Sequence, residues 1–344
     1  NKNITYSINN GLDINKFQKK ENISNDILKK ELEKIKPLYL KQKVFNKKSF
    51  MNRDFFEISK DTLIENQSYY LNNKKIKYCL KNNSSLIFKN VTFKDISNSS
   101  SIQFINCDKN SGSVIIENSL FSLNQISVNG LKPSINNLRI LYSGFNTINS
   151  KLNVNKIFIT KNSGEDNINF INSYIKSDLI EVQDAPSDAI DSDYSEISVK
   201  KIICQKIGND CFDTSFSNSE IGSIIATEVK DKVISAGESS NLKINSLKID
   251  NSEMGIVSKD SSKVFINLYD FSKVKVPLVA FIKKSEFKSP SLVIEKINEG
   301  EKKAFLISED AFVKINNKIL STDIPSSKIS SMLYGKIYGV KTER

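Results

Sequence analysis

Two consecutive segments of the chain align without a gap: SYIKSDLIEVQDAPSDAIDSDY spans residues 173–194, and SEISVKKIICQKIGNDCFDTSF spans residues 195–216. A serine opens each segment, and isoleucine or valine returns at matching places in both. Neighbouring apolar positions lie two residues apart, which is the spacing of a β-strand and not of a helix. We therefore interpret the two segments as successive copies of one strand-rich repeat.

The repeat extends well beyond these two copies. Its opening serine recurs at intervals of 22 or 23 residues, at Ser150, Ser173, Ser195, Ser217, Ser240, Ser262 and Ser285. The apolar positions line up in five columns, which begin at Leu152, Val154, Ile157, Ile159 and Ile168. The fifth column is predicted to continue through Ile190, Phe212, Val233 and Ile256. Three short strands per repeat, separated by polar corners, predict an all-β fold: a three-faced parallel β-solenoid with stacked apolar ladders.

The repeat also suggests how the chain is organised. We expect one solenoid over residues 55–320, an N-terminal segment over 1–54 and a C-terminal cap or tail over 321–344, where the repeat is lost. Residues 24–36 carry a polar start and an apolar stripe at helical spacing. Because an open solenoid end exposes core and unpaired strands, this short helix is predicted to cap the N-terminal end.

Composition excludes several kinds of activity. The 344 residues include no His, so neither a Ser-His-Asp triad nor a His-ligated zinc is available. The net charge is +11, but its Lys residues are scattered and the few Arg residues do not cluster. This pattern favours a solvated lysine surface over nucleic-acid binding, which relies on Arg and interleaved aromatic residues. No apolar run approaches the roughly 18 residues of a transmembrane helix.

The four cysteines leave the redox state open. Cys204 falls in an inward column, whereas Cys211 precedes the inward Phe212 and is expected to point outward, so that the two would not bridge. Cys79 and Cys107 lie about one coil apart and are close enough in register to meet, which leaves both a disulfide and two free thiols open.

Acidic residues gather in one part of the solenoid. Asp191 and Asp213 are predicted to point outward from neighbouring coils about 5 Å apart, with Asp193 about 7 Å further along the strand. Like charges stacked in this way repel, so a cation, a shared proton or a lysine should compensate them. The candidate lysines are Lys232, which aligns with Cys211, and Lys259, near the column of Asp193.

Other side chains border this patch. Tyr194 and Phe216 flank it and offer aromatic surface to a sugar, and Glu238 lies at the adjoining corner. A second acidic ladder is predicted at the preceding corner, where its carboxylates accept backbone N–H groups as Asx residues do in turns. Its members are Asp166, Asp188, Asp210 and Asp231.

The coils and the placement of the acids resemble the pectin-lyase-like superfamily of right-handed parallel β-helices. The segments 187–191, 208–210, 231–238 and 255–260 are also similar to exported bacterial β-helix repeat proteins of unknown activity. These resemblances imply a right-handed coil, a location outside the cytoplasm and a polysaccharide or cell-surface glycan as partner.

Two branches of the superfamily imply different chemistry. The three aspartates resemble the polygalacturonase arrangement, in which one acts as general acid and the others activate water, although its Gly-His-Gly and Arg-x-Lys elements are absent. In the lyase branch, Asp191, Asp193 and Asp213 would hold Ca²⁺, and Lys232 or Lys259 would be the base if its pKa were depressed. A non-catalytic structural or adhesive solenoid, with or without Ca²⁺, is the alternative that stays open.

Overall fold

The computed structural model describes residues 43–44, 54–109, 112–133, 135–136, 139–140, 143–298, 305–335 and 337–338, with backbone alone at 43–44, 135–136 and 139–140. The helix predicted at residues 24–36 lies outside this set. Strands make up 66% of the structure and helix 3%, which confirms the all-β prediction.

The strands, in chain order, are β1 Lys43–Val44, β2 Phe55–Ile58, β3 Thr62–Glu65, β4 Ser68–Leu71, β5 Lys75–Leu80, β6 Leu86–Lys89, β7 Thr92–Asp95, β8 Ser101–Asn106, β9 Val114–Glu117, β10 Leu120–Asn129, β11 Ile135–Asn136, β12 Arg139–Ile140, β13 Ser143–Ile148, β14 Lys151–Thr160, β15 Asp166–Ile171, β16 Tyr174–Ala185, β17 Asp188–Asp193, β18 Glu196–Ile207, β19 Phe212–Ser215, β20 Asn218–Gly237, β21 Asn241–Lys259, β22 Lys263–Phe281, β23 Ser291–Asn298, β24 Leu306–Ile307, β25 Phe312–Ile315 and β26 Lys318–Leu320. One helix, α1, spans Ser326–Leu333.

The strands form a parallel β-solenoid of about 11 turns. Each coil contributes one strand segment to each of three faces, and the long strands β20, β21 and β22 run through all three. We call face C the sheet that contains β13, β15, β17 and β19 and the C-terminal parts of β20, β21 and β22. Face C positions the acidic residues.

The predicted apolar columns are present in the core, with one correction. Leu152 pairs with Ile175, and Ile157 with Ile180, as the sequence pattern requires. In the fifth column, however, Phe212 pairs with Ile234 and not with Val233. Both Val233 and Ile234 are fully buried, because the chain turns a corner there and consecutive residues point inward. Two adjacent apolar residues cannot be told apart by hydrophobic alternation alone.

The repeated serine has a structural cause. The Ser195 hydroxyl accepts the Ser173 N–H at 3.0 Å and donates to the Asp193 carbonyl at 2.9 Å. The Ser217 hydroxyl accepts the Ser195 N–H in the same way, at 2.9 Å. Each serine therefore satisfies a buried backbone donor of the preceding coil, so the ladder fixes both the position of the corner and the coil length.

The last predicted serine does not belong to this ladder. Ser291 pairs with Lys263, and its N–H donates to the Ser262 carbonyl, so the place expected for Ser285 is taken by Pro290. Residues 282–290 are an inserted loop between β22 and β23. Ser285 fitted the interval of 23 residues by coincidence, since serine is common throughout this chain.

The C-terminal part covers two surfaces of the solenoid. Strand β26 pairs antiparallel with β25, which ends the parallel stacking. Helix α1 packs Ile329 and Leu333 against outward side chains of face C, namely Met254, Val257, Val276, Val279, Phe281 and Leu306. The outer surface of face C therefore changes along the solenoid axis from acidic to apolar, and the chain covers the apolar part itself.

Both cysteine pairs form disulfides. Cys79 and Cys107 are joined across neighbouring coils, with their Cα atoms 5.5 Å apart. Cys204 and Cys211 are also joined, with Cα atoms 5.9 Å apart, so the expectation that Cys211 points outward was wrong. Cys211 lies in the core beside Phe212, because strand alternation does not hold at a corner. Among the described residues, no helix is long and apolar enough to cross a membrane.

Candidate functional site

A column of charged residues crosses neighbouring coils at the start of face C. Asp166 pairs with Asp188, and one coil further the Asp210 carboxylate accepts the Lys232 N–H at 3.0 Å. Lys232 therefore takes the fourth place in the column, where the sequence pattern predicted Asp231. Lys232 does not align with Cys211. The cause is the one-residue shift at this corner, which also pairs Phe212 with Ile234 and not with Val233.

Asp188 and Asp210 accept backbone N–H groups at the corner, as predicted, but the donors belong to the next coil and not to a local turn. Asp188 Oδ1 accepts the Asp210 N–H at 2.8 Å and the Asn209 side-chain amide at 2.6 Å. Asp210 is nearly fully buried, and Lys232 Nζ donates to its two oxygens at 3.0 and 3.2 Å. Lys232 also contacts Asp231. These carboxylates are thus both structural acceptors and members of a charged cluster.

The column joins the acidic patch through Asp213. Carboxylate oxygens of Asp188, Asp210 and Asp213 lie within 4.8 Å of one another. Of these three, sequence analysis had placed only Asp213 in the patch. It had assigned Asp188 and Asp210 to the corner, where strand alternation does not predict the direction of a side chain.

The other predicted acids lie beside this group. Asp191 pairs with Asp213 across neighbouring strands, which confirms their predicted stacking, and both are partly exposed. Asp193 pairs with Ser215 at the far end of the same strands. Lys259 lies two coils further along that line, as expected, and its Nζ atom donates to the Ser235 hydroxyl at 2.8 Å.

Crowding and burial raise the pKa of several of these carboxyl groups. Desolvation, with a contribution from Asp210, raises the pKa of Asp188 to about 9. Desolvation, reinforced by Asp213 and Glu238, raises the pKa of Asp193 to about 6. The pKa of Asp191 is raised well above its usual value by desolvation and by Asp166, Asp193 and Asp213. A carboxyl group with a raised pKa keeps its proton to higher pH, which lessens the repulsion between stacked acids.

The two lysines provide the rest of the compensation. Burial alone would lower the pKa of Lys232, but Asp210 and Asp231 outweigh that effect and raise it. Burial alone would also lower the pKa of Lys259, but Asp213 and Tyr334 outweigh that effect and raise it. Both side chains therefore stay charged. A base role would need a depressed pKa, and the shift runs in the opposite direction.

The inserted loop 282–290 supplies a further cation. Lys284 forms an ion pair with Glu238, and the Ser215 hydroxyl donates to the same carboxylate. Burial alone would raise the pKa of Glu238, but the hydrogen bonds from Lys284 and Ser215 lower it. Glu238 is therefore a charged, engaged residue at the edge of face C. Lys284 escaped sequence analysis because an insertion has no partner in the repeat.

Tyr194 and Phe216 form an aromatic pair beside Asp193. Their rings stack at 4.8 Å with an angle of 4° between their planes, and Phe287 of the inserted loop lies 6.0 Å from Phe216. Tyr194 and Phe216 have φ of 53° and 52°, in the left-handed region. At the same corner of earlier coils this conformation belongs to asparagines, which tolerate it better than bulky residues do.

Asp188 and Asp210 are poorly placed to bind a divalent cation. Ca²⁺ takes six to eight oxygen ligands. Here Asp188 Oδ1 already accepts two N–H groups, and the ammonium of Lys232 lies against both oxygens of Asp210. A second cation at Asp210 would be repelled by Lys232. Lys232 therefore neutralises Asp210, whereas the Ca²⁺ expected at Asp191, Asp193 and Asp213 stays a prediction.

No family model matches the chain, and neither a curated protein nor a solved structure matches it. The structure supports a parallel β-solenoid with an acidic group at Asp188, Asp210 and Asp213. The resemblance to the pectin-lyase-like superfamily stays a prediction.

Proposed function

We propose that the protein binds a polysaccharide along face C and cleaves it by carboxyl-group hydrolysis. The observation that carries this proposal is the position of Asp193, a partly exposed acid whose pKa is raised to about 6, between Asp213 and the Tyr194–Phe216 ring pair. A carboxyl group that titrates near neutral pH suits general acid catalysis, since its proton is both held and transferable.

The carboxyl groups divide into two roles. Asp193 protonates the glycosidic oxygen, and Asp213 accepts a proton from the attacking water. Their positions are diagonal neighbours on adjacent strands, because Asp213 pairs with Asp191 and Asp193 pairs with Ser215. With strands about 4.8 Å apart and about 6.6 Å between residues i and i+2, diagonal Cα positions lie about 8 Å apart. A carboxyl separation of that order would leave room for a water molecule and favour inversion.

The lysines support hydrolysis over lyase chemistry. A lyase needs an unprotonated base beside the sugar carboxylate. Lys232 and Lys259 keep their protons and are largely buried, so they stabilise the negative charge of the aspartates instead. Tyr194, Phe216 and Glu238 at the edge of face C would contact the sugar. Stacked aromatic residues present apolar ring surface and ring edges, which suit the C–H groups and oxygens of a sugar ring.

The test is an activity screen with matched variants. The protein is incubated with polygalacturonate, alginate, hyaluronate, xylan, β-glucan and chitin oligosaccharides, and both reducing ends and ultraviolet absorbance of unsaturated uronates are recorded. We expect new reducing ends without absorbance, and their loss in Asp193→Asn and Asp213→Asn. Asp178→Asn is the control, since this exposed acid pairs with Lys200 on another part of the solenoid. Unsaturated products, or full activity of Asp213→Asn, would contradict hydrolysis.

A non-catalytic scaffold is the second candidate. It is favoured by the hydrogen bonds that Asp188 and Asp210 accept from neighbouring coils, because these give the acids a structural use. Glycan binding without cleavage, unchanged by Asp213→Asn, would support it. Export is part of either proposal, and the two disulfides are consistent with an oxidising compartment.

A further inference from the structure

A shallow, open cavity of about 820 Å³ lies between the inserted loop and the C-terminal helix α1. Ile282, Lys283 and Phe287 line it from the loop side, and Ser326, Ser330 and Tyr334 from the helix side. Its walls therefore combine two aromatic rings with hydroxyl groups and one ammonium. We call it the C-terminal cavity.

The C-terminal cavity continues the candidate site. Phe287 lies 6.0 Å from Phe216, which stacks on Tyr194 beside Asp193. Tyr334 is close enough to Lys259 to act on its charge. Lys284, next to the cavity residue Lys283, pairs with Glu238 at the edge of face C. Phe287, Tyr334 and the loop that carries Lys283 and Lys284 therefore link the cavity to residues of the candidate site.

The walls of the cavity are held in place before any ligand binds. Asp260 Oδ1 accepts the N–H groups of Lys283 and Lys284 at 2.7 and 2.8 Å, and Ser326 Oγ accepts the Ile282 N–H at 2.9 Å. Lys283 Nζ lies 4.6 Å from the centre of the Tyr334 ring. Pre-ordered walls reduce the entropy that a ligand must lose on binding.

We propose that the C-terminal cavity is a second glycan subsite, which binds sugar units of the same chain beyond the bond that face C attacks. The inference rests on the proposed function. Rings of Phe287 and Tyr334 suit the apolar faces of sugars, and the serine hydroxyls and Lys283 suit their oxygens. Tyr334 and Phe287 are then binding residues that favour long chains over short ones.

The test compares Tyr334→Ala with Tyr70→Ala, an exposed tyrosine on β4 whose side chain is remote from face C. The probe is whichever polysaccharide of the screen is cleaved or bound, together with its short oligosaccharides. Tyr334→Ala should raise KM, or Kd where there is no cleavage, about 3- to 10-fold for long chains. The values for short oligosaccharides should change less than those for long chains, whereas Tyr70→Ala should leave KM, Kd and kcat for both unchanged.

Hydrogen exchange gives an independent readout. Binding of the long chain should slow exchange in residues 282–287 and 326–335 as well as in face C. One result would overturn this inference alone: cleavage or binding still depends on Asp213, but Tyr334→Ala behaves like Tyr70→Ala. In that case these segments would also show no protection from exchange. Failure of every polysaccharide to bind or to be cleaved would overturn the proposed function and, with it, the subsite.

Discussion

Lys232 Nζ lies 3.0 Å from Asp210 Oδ1, and the two side chains expose 7% and 4% of their surface. Asp210 follows Asp166 and Asp188 in a column that crosses successive coils, and Lys232 comes next. The column of acids thus ends in a cation supplied by the chain itself. Buried carboxylates are costly without such a partner, so this ion pair makes the acidic face compatible with folding.

Replacing Lys232 by methionine should destabilise the protein strongly. The substitution leaves Asp210 and Asp231 buried without their counter-ion, and breaking such pairs costs about 3 to 5 kcal/mol. The urea midpoint of unfolding measures the loss. The matched control is Lys200→Met, whose exposed pair with Asp178 should be worth no more than about 1 kcal/mol. Equal midpoints for the two variants would show that Lys232 is not needed as a counter-ion.

The raised pKa of Asp188 predicts that its contribution to stability falls with rising pH. The unfolded chain loses this proton near pH 4, whereas the folded protein holds it until about pH 9. Between these values the unfolded state binds fewer protons, so the free energy of unfolding decreases as pH rises, by at most about 1.4 kcal/mol per pH unit for one proton. Below pH 4 the contribution is fully present.

Asp188→Asn tests this dependence, since the amide oxygen can still accept the Asp210 N–H but does not titrate. The free energy of unfolding of Asp188→Asn, relative to that of the parent, should increase from pH 5 to pH 9. The partly exposed Asp250, which pairs with Lys273, provides the control substitution Asp250→Asn, a carboxyl-to-amide change outside the acidic column. A difference that is flat with pH for Asp188→Asn would contradict a protonated carboxyl in the folded protein.

The sequence predicted the strands better than the corners, for a physical reason. Within a strand, residues alternate between the core and the outside, so columns such as Leu152 and Ile175 can be read directly. At a corner the alternation breaks, and Cys211 and Phe212 are both buried. The sequence alignment was wrong by one residue at this corner, so that Lys232 lies beside Asp210 and not beside Cys211. The acidic patch was therefore predictable, while the pairing that neutralises it was not.

Both disulfides should protect all four cysteines in the unreduced protein. Denatured, unreduced protein should show no reactive thiol, and reduction should reveal four. Closing loops with sequence separations of 28 and 7 residues is worth about 2 to 4 kcal/mol per bridge in the chain-entropy treatment, so reduction should lower the melting temperature. Replacing the cysteines of one pair at a time by serine shows how much of the loss in melting temperature comes from each disulfide. Titration of free thiols before reduction would contradict the pairing.

Phe216→Asn should separate stability from glycan binding. Asparagine occupies the left-handed conformation at this corner in earlier coils, as at Asn149 and Asn172, and tolerates φ of 52° with less strain than phenylalanine. This gain of about 1 kcal/mol offsets the lost stacking on Tyr194, which is worth about 0.5 to 1.5 kcal/mol. The midpoint of unfolding should therefore change little, while affinity for the bound polysaccharide should fall about 3- to 10-fold. Phe55→Asn, at an exposed position on β2, is the control and should leave affinity unchanged. A clear loss of stability without loss of affinity would mean that the aromatic pair serves the coil and not a sugar.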